Sequence, residues 1–377
     1  MRLHAIALVA FAGCFKPLLT EHLPCAAPDN WCPSPQTCIQ GVCEGVGVDG
    51  GDDAAVAPAN FVFTTSTTFL PGTRSTAELL DAADAQCNAL GQKLRQGTYM
   101  AWLGTDVNDA AARIAARTSG SPGWVRPDGK PFTRSLADLV AGTIYYPPRI
   151  DDNKADVVAV NLQTTVATEL DPTGCEAGGA TVRIGFATGD DPTWRSFDVR
   201  SCGSDVWLYC FETDLATAVD PPVFDPSLAL GFVTASTYPI AAGISALDGD
   251  CQAEGNAAGY SSRQFKALVA TSTANARSRF AAAIKPWTRV DGVVFAPMSL
   301  GKFDAPLSLT PMPSHLVSLA AVGAHDLTTT ANSNCLDWSS QAQSASAGDT
   351  TLSDDLGFQR SGIDCNATGH LYCLEAP

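Results

Sequence analysis

The chain carries one cysteine frame twice. Cys87, Cys175, Cys202 and Cys210 are matched by Cys251, Cys335, Cys365 and Cys373, with gaps of 88, 27 and 8 residues in the first set and 84, 30 and 8 in the second. Each set closes on a related stretch. The first is Cys202-Gly-Ser-Asp-Val-Trp-Leu-Tyr-Cys210-Phe-Glu and the second Cys365-Asn-Ala-Thr-Gly-His-Leu-Tyr-Cys373-Leu-Glu, 163 residues apart. Two copies are too few for a stacked array, so each must fold on its own core. The alternation in the closing stretch predicts a strand whose two cysteines point the same way. Four cysteines allow three pairings per copy. A Cys202–Cys210 bridge requires a tight turn through Gly203-Ser-Asp, whereas a first-to-last bridge closes a loop of over a hundred residues and stabilises by roughly 4–5 kcal/mol in the chain-entropy model. Spacing alone leaves these alternatives open.

Other landmarks keep the same register. Trp124-Val-Arg-Pro-Asp-Gly-Lys-Pro-Phe132 matches Trp287-Thr-Arg-Val-Asp-Gly-Val-Val-Phe295, and both Asp-Gly pairs mark tight hairpins. Phe63-Thr-Thr-Ser-Thr67 and Val233-Thr-Ala-Ser-Thr237 open each copy as a strand. A helix follows, with Leu79, Leu80, Ala83, Cys87 and Leu90 on one face, and Leu247 and Cys251 in the second copy. Next come short apolar strands, Met100–Leu103 and Phe265–Val269. Second helices are predicted over Asn108–Ala116 and Thr273–Ala283, with Asp106 and Ser272 as N-caps. Each copy then runs through a long Gly/Asp/Ser/Thr-rich loop holding its second cysteine. This order predicts an α+β fold with a mainly antiparallel sheet, in copies spanning 61–212 and 230–377 with a Pro-rich linker at 213–229.

The chain has 13 cysteines among 377 residues. The remaining five are Cys14 alone and the cluster Cys25, Cys32, Cys38 and Cys43. No set shows the paired C-x2-C spacing of a zinc site, so the even sets read as disulfides in an oxidising compartment. The net charge of −16 disfavours nucleic acid as a partner, because phosphate backbones are bound by Lys/Arg surfaces. Met1-Arg-Leu-His, the apolar run Ala5–Phe11 and Ala12-Gly13-Cys14 have the layout of a secretory signal, too short to span a bilayer. Phe11-Ala-Gly-Cys14 resembles the lipobox of bacterial lipoproteins, with Phe11 where Leu is usual. The resemblance implies cleavage after residue 13 and lipidation of Cys14, and hence attachment to a membrane through lipid alone in the cell envelope, as an outer-membrane lipoprotein facing periplasm or cell surface. Residues 14–43 then form a Cys-rich stub that needs cross-links because it cannot build a core. The Gly/Ala/Asp-rich stretch 44–60 reads as a flexible linker.

The Thr-Ser-Thr opening, the Cys-bearing first helix, the Ala-Trp-Leu strand, the Trp…Asp-Gly hairpin and the terminal Leu-Tyr-Cys together resemble a bacterial secreted and lipoprotein domain of uncharacterised function. That domain is similar to the endostatin-like branch of the C-type lectin-like fold. The resemblance implies two tandem domains of this fold. It also implies a looped domain whose ends meet in one sheet, and nested disulfides: Cys87–Cys210 around Cys175–Cys202, and Cys251–Cys373 around Cys335–Cys365. The second copy keeps an Asn334-Cys-Leu-Asp-Trp338 loop motif; the first has Thr173-Gly-Cys-Glu-Ala-Gly-Gly179.

Catalytic signatures are scarce. Beyond the leader only His22, His315, His325 and His370 remain, and none lies in the first copy. A duplicated His-based or zinc site is thereby excluded. No Gly-x-Ser-x-Gly elbow, phosphate loop or dinucleotide fingerprint is present, so no cofactor is expected. The pairs Asp151-Asp152, Asp190-Asp191 and Asp354-Asp355 read as solvated loop acids, since the calcium-lectin triplets are missing. Tyr145, Tyr146, Trp194 and Trp338 lie in or near the long loops and are the expected ligand-stacking surface. The sequence thus points to a non-enzymatic surface protein for recognition or adhesion, with a glycan or an extracellular protein as partner. A secreted hydrolase of polysaccharide or peptide, and a passive structural envelope protein, are the alternatives.

Overall fold

The computed structural model describes residues 36–39, 42–45 and 59–376, apart from 158–164, 173, 177–178, 299, 301–302, 308–318, 322–326, 331–332 and 359–360. Cys14, Cys25, Cys32, His22, His315 and His325 lie outside the described residues. Two units divide between Val56 and Ala57. The described part of the first is an antiparallel hairpin, β1 (Gln36–Ile39) and β2 (Val42–Gly45), in which Cys38 is registered opposite Cys43.

The second unit is a mixed α/β structure, mostly sheet with few helices, and holds both copies. The first copy runs β3 (Asn60–Thr64), α1 (Thr76–Gly91), β4 (Tyr99–Ala101), α2 (Val107–Ala115), β5 (Trp124–Val125), β6 (Pro131–Thr133), α3 (Leu136–Val140), β7 (Thr165–Leu170), β8 (Thr181–Phe186), β9 (Asp198–Ser201) and β10 (Trp207–Glu212). The second runs β11 (Ala229–Val233), β12 (Tyr238–Pro239), α4 (Ile244–Ala257), β13 (Phe265–Ala267), β14 (Trp287–Thr288), β15 (Val294–Ala296), β16 (Leu319–Ala321), β17 (Ser344–Asp349), β18 (Ser361–Asp364), β19 (Thr368–Gly369) and β20 (Tyr372–Glu375).

The first and last strands of each copy are neighbours. β10 pairs antiparallel with β3 and β4, while β3 pairs parallel with β5 and β5 antiparallel with β6. β20 repeats this with β11 and β13, β11 with β14, and β14 with β15. Strand alternation splits each core into two layers. Leu208 and Cys210 join the α1 side with Leu79, Ala83 and Cys87, whereas Tyr209 and Phe211 join Trp102, Trp124 and Trp194 on the other. In the second copy Leu371 and Cys373 face α4, and Tyr372 and Leu374 face Trp287, Phe295 and Phe303.

Four disulfides link the described residues: Cys87–Cys210, Cys175–Cys202, Cys251–Cys373 and Cys335–Cys365. Each copy therefore ties its first helix to its closing strand and its long loop to the turn before that strand.

Polar groups repeat as well. The acid that ends each closing stretch, Glu212 or Glu375, accepts from the backbone N–H of Phe61 or Leu230 at 2.8 Å, and pairs with Arg95 or Arg263. Asp84 and Asp248 on the first helices accept from Ala101 N and Ala267 N at 2.9 Å, and pair with Arg113 and Arg279 at 2.6 Å. Tyr209 donates its hydroxyl to Trp194 O, and Tyr372 donates to Gly357 O.

Two expectations are corrected. The closing stretch is not one strand from Cys202 to Cys210: β9 ends at Ser201, the chain turns with Ser204 N donating to Ser201 O at 2.9 Å, and β10 starts at Trp207. The turn exists, yet Cys202 bonds to Cys175. In the second copy the second helix is a short 3-10 turn, Ala276–Phe280, capped by Asn275. Ser272 is drawn away from capping because its N–H and hydroxyl donate to Asp337 at 2.7 and 2.8 Å. The segment 213–229 is fastened along its first half: Thr213 N donates to Thr98 O, Leu215 N to Asn60 Oδ1 and Val219 N to Arg134 O.

Candidate functional site

The long loops of the two copies meet each other. The 188–194 loop after β8 lies along the 349–354 loop after β17, with an isolated antiparallel bridge between Gly189 and Leu352. Asp190 N donates to Thr351 O at 3.0 Å and Ser353 N to Thr188 O at 3.1 Å. Thr188 Oγ1 donates to Asp354 Oδ2 at 2.7 Å, and the hydroxyls of Thr193 and Thr351 are 2.9 Å apart. Beside this ladder Arg149 donates to Phe303 O at 2.7 Å and Ser353 Oγ at 3.1 Å, and Val294 N donates to the Tyr146 hydroxyl at 2.8 Å. Arg126 and Lys130 of the first copy both pair with Asp304 of the second. Burial opposes ionisation of Asp304, but the charges of Arg126 and Lys130 outweigh it and hold its carboxyl at about 2.

The aromatic residues expected to form a ligand surface are placed otherwise. Trp194 and Trp338 are 0% exposed. Trp194 stacks among Trp102, Phe132 and Tyr209, and Trp338 donates its ring N–H to Ala270 O at 2.8 Å. Tyr146 is buried against the core of the second copy, under Arg126 and Lys130, and Tyr145 packs half-buried beside it. Burial pushes the Tyr146 hydroxyl up to about 12. These rings are spent on joining the copies and filling cores, because each large ring lies where a loop must cover a sheet.

The acid pairs are corrected too: Asp151, Asp152, Asp191 and Asp354 are buried rather than solvated. Asp151 Oδ1 accepts from Asn153 N and Ala155 N at 2.8 Å. Asp152 accepts from Ser66 N and Lys93, and Asp191 pairs with Arg195 at 2.6 Å. Such acids organise loops: Asp151 and Asp191 bind donors within four residues, whereas those of Asp152 and Asp354 lie too far along the chain for sequence to announce. His370 Nδ1 sits 2.7 Å from Thr234 O, a packing contact of the β20 approach.

Two further features have parts open to solvent, a backbone turn within the Asn334–Trp338 motif and a groove that sequence reading missed. The first is the turn Cys335–Trp338, where four consecutive residues take left-handed backbone angles, φ 57, 51, 55 and 66°, and Leu336 projects 57% exposed. The Asn334 side chain accepts from Asp337 N at 3.1 Å and helps hold it. The second is a shallow groove of about 470 Å³ beside α4 and β13, lined by Gln252, Asn256, Ser261, Gln264 and Lys266. Amide, hydroxyl and ammonium groups along it suit a hydroxyl-rich or peptide ligand.

Among the described residues no group of three His, Cys, Asp or Glu side chains is arranged to hold a metal ion, and no helix is long and apolar enough to cross a membrane. No protein-family model matches the chain, and no curated protein matches it significantly.

Proposed function

We propose that the chain is a lipid-anchored bacterial envelope protein that recognises or adheres to an extracellular glycan or protein through two tandem C-type lectin-like, endostatin-like domains, 61–212 and 230–377. The observation that carries this reading is the nested disulfide pair found in both copies around a sheet in which first and last strands meet. Such cross-linking serves a loop-rich domain working outside the cell. A binding role rather than a hydrolytic one is supported by the buried acids Asp151, Asp152, Asp191 and Asp354, whose oxygens are engaged by internal donors. With the long loops facing each other, the groove between α4 and β13 is the ligand surface of this reading.

The test is to screen the full mature protein, in detergent, on glycan and matrix-protein arrays, beside a Gln264→Ala/Lys266→Ala variant. Retention of a ligand by the wild type and its loss in the variant is expected. Silence on both arrays with a folded protein would sink the recognition reading in favour of a passive envelope role. Detergent partitioning and intact mass test acylation at Cys14 separately.

A further inference from the structure

The seam between the copies concentrates four buried polar atoms without a well-formed hydrogen bond: Asp190 Oδ1, Asp191 Oδ1, Trp194 Nε1 and Thr350 Oγ1, of which Asp191 Oδ1 contacts Arg195 and Trp194 Nε1 faces the Asp191 carboxylate. All four belong to the two strips that pair there, 188–194 and 349–354. Buried polar groups are nearly always satisfied, so orphans gathered at one contact call for a physical reason. We propose that Asp190 is a proton-operated latch, with the seam closed while its carboxyl carries a proton and loosened when it ionises.

The geometry supports this in three ways. First, Asp190 is tied into the seam by its own backbone, through its N–H to Thr351 O and its carbonyl, which accepts from Trp194 N at 2.8 Å. Its Cα is therefore fixed in the ladder, and although the residue as a whole is half-buried its Oδ1 is out of solvent beside that ladder. Second, the groups facing it are mostly acidic. Asp191 adjoins it in the loop but is committed to Arg195, and Asp349 stands at the end of β17. Asp354 and Tyr372 of β20 share the same neighbourhood, since Tyr372 feels the charges of Asp349, Asp190 and Asp354. Third, the cations near it among the described residues are engaged elsewhere: Arg289 pairs with Asp291 at 2.5 Å and donates to Pro306 O at 2.7 Å, Arg195 pairs with Asp191, and Arg149 pairs with Asp156. Burial, with Asp349 and Asp191 adding to it, raises the Asp190 carboxyl well above the ordinary carboxylate value.

The direction of the effect follows from linkage. A carboxyl whose closed-seam value is raised contributes fully below its ordinary value, near pH 4. That contribution is lost as pH rises toward the raised value. One proton is involved, so the opening constant rises about tenfold per pH unit across that window and levels off above it.

The experiment is amide hydrogen exchange on the full-length protein from pH 4.5 to 7.5, corrected for intrinsic exchange. Protection of 188–194 and 349–354 should fall with pH, while β10 and β20 hold theirs. Asp190→Asn, an isostere of the protonated acid, should flatten the profile and keep or raise Tm at pH 7.5. Asp349→Asn keeps the oxygen that accepts from Thr351 and should narrow the window. A wild-type seam whose protection ignores pH would overturn the latch. So would an Asp190→Asn variant that lowers Tm at pH 7.5, because an ionised Asp190 would then be holding Arg289. If Asp190→Asn fails to fold, an Asp349→Asn profile identical to wild type overturns it instead.

Discussion

The two copies share their sheets and differ in their loops. Both use a closing Glu to receive the first strand's N–H, a helix Asp to receive the second strand's, and a Tyr to hold the loop behind. Around the second cysteine they diverge. The first copy enters it through Gly174, which takes the left-handed angle at φ 69° without penalty, and Cys175 follows in ordinary backbone. The second copy forces four side-chain-bearing residues into that region. The first helices differ too: Ser75 and Glu78 form a reciprocal capping box on α1, while α4 starts from Gly243 with no side-chain cap. The common frame is thus made of groups that satisfy buried strand ends, which either copy must provide. The loops answer other constraints, including the contact that each makes with the other copy, and differ accordingly.

The strongest way to break this equivalence is through the outer disulfides. They span 123 and 122 residues, and each closes a helix onto a final strand. Replacing Cys87/Cys210 or Cys251/Cys373 by Ala should therefore cost the same, about 4–5 kcal/mol in the chain-entropy model. The inner bridges span 27 and 30 residues, so their removal should cost less, roughly 3–4 kcal/mol on the same scaling. Urea denaturation of the four double variants measures this. A twofold difference between the outer pair would show that the copies are not energetically alike.

Asp304 sharpens the comparison, because it is where one copy depends on the other. The Arg126 side chain is 1% exposed, and Asp304 is its partner from across the seam. Asp304→Ala would leave that guanidinium with only Asp128 and carbonyl partners, at a cost of roughly 3 kcal/mol. Lys130→Met removes the 41%-exposed cation on the same acid and should cost under about 1 kcal/mol. The pH sign is opposite to that of the seam latch. A carboxyl held at about 2 contributes stability above its ordinary value, and this is lost as pH falls from near 4 toward 2. An acid titration of Tm in wild type and Asp304→Asn separates the two: the variant should lose the part of the acid transition between pH 4 and 2.

Much of the frame was legible because it rests on short-range periodicity. The face Leu79, Ala83 and Cys87 and the Asp-Gly hairpins follow from local rules, and α1 and the β5–β6 turn are found there, Gly129 taking φ 86°. The break between β9 and β10 was hidden because the stretch alternates as a strand on both sides of its turn. The aromatic surface failed for a different reason: Trp194 and Tyr146 look exposed by loop position, but Trp194 folds back into its own copy's core and Tyr146 is buried against the other copy. A sequence pattern reports which face of an element is apolar. It carries no sign of which loop will lie on top.

The smallest effect tests the divergence itself. Leu336 occupies a left-handed position, φ 51° and ψ 64°, with more than half its surface in solvent. A leucine there carries a steric cost of roughly 1–2 kcal/mol, against which its exposed side chain regains little packing. Glycine removes that cost but adds backbone freedom to the unfolded chain, worth roughly 0.5–1 kcal/mol. Asparagine tolerates the left-handed region without the added freedom. Leu336→Asn should therefore stabilise by about 1 kcal/mol, and Leu336→Gly by less. In the first copy the residue after the cysteine, Glu176, is outside the left-handed region and has no equivalent gain to offer. Thermal unfolding of the two variants decides the matter. A loss of stability in Leu336→Asn would mean that the leucine is held by packing, and that the second copy's turn is not strained relative to the first.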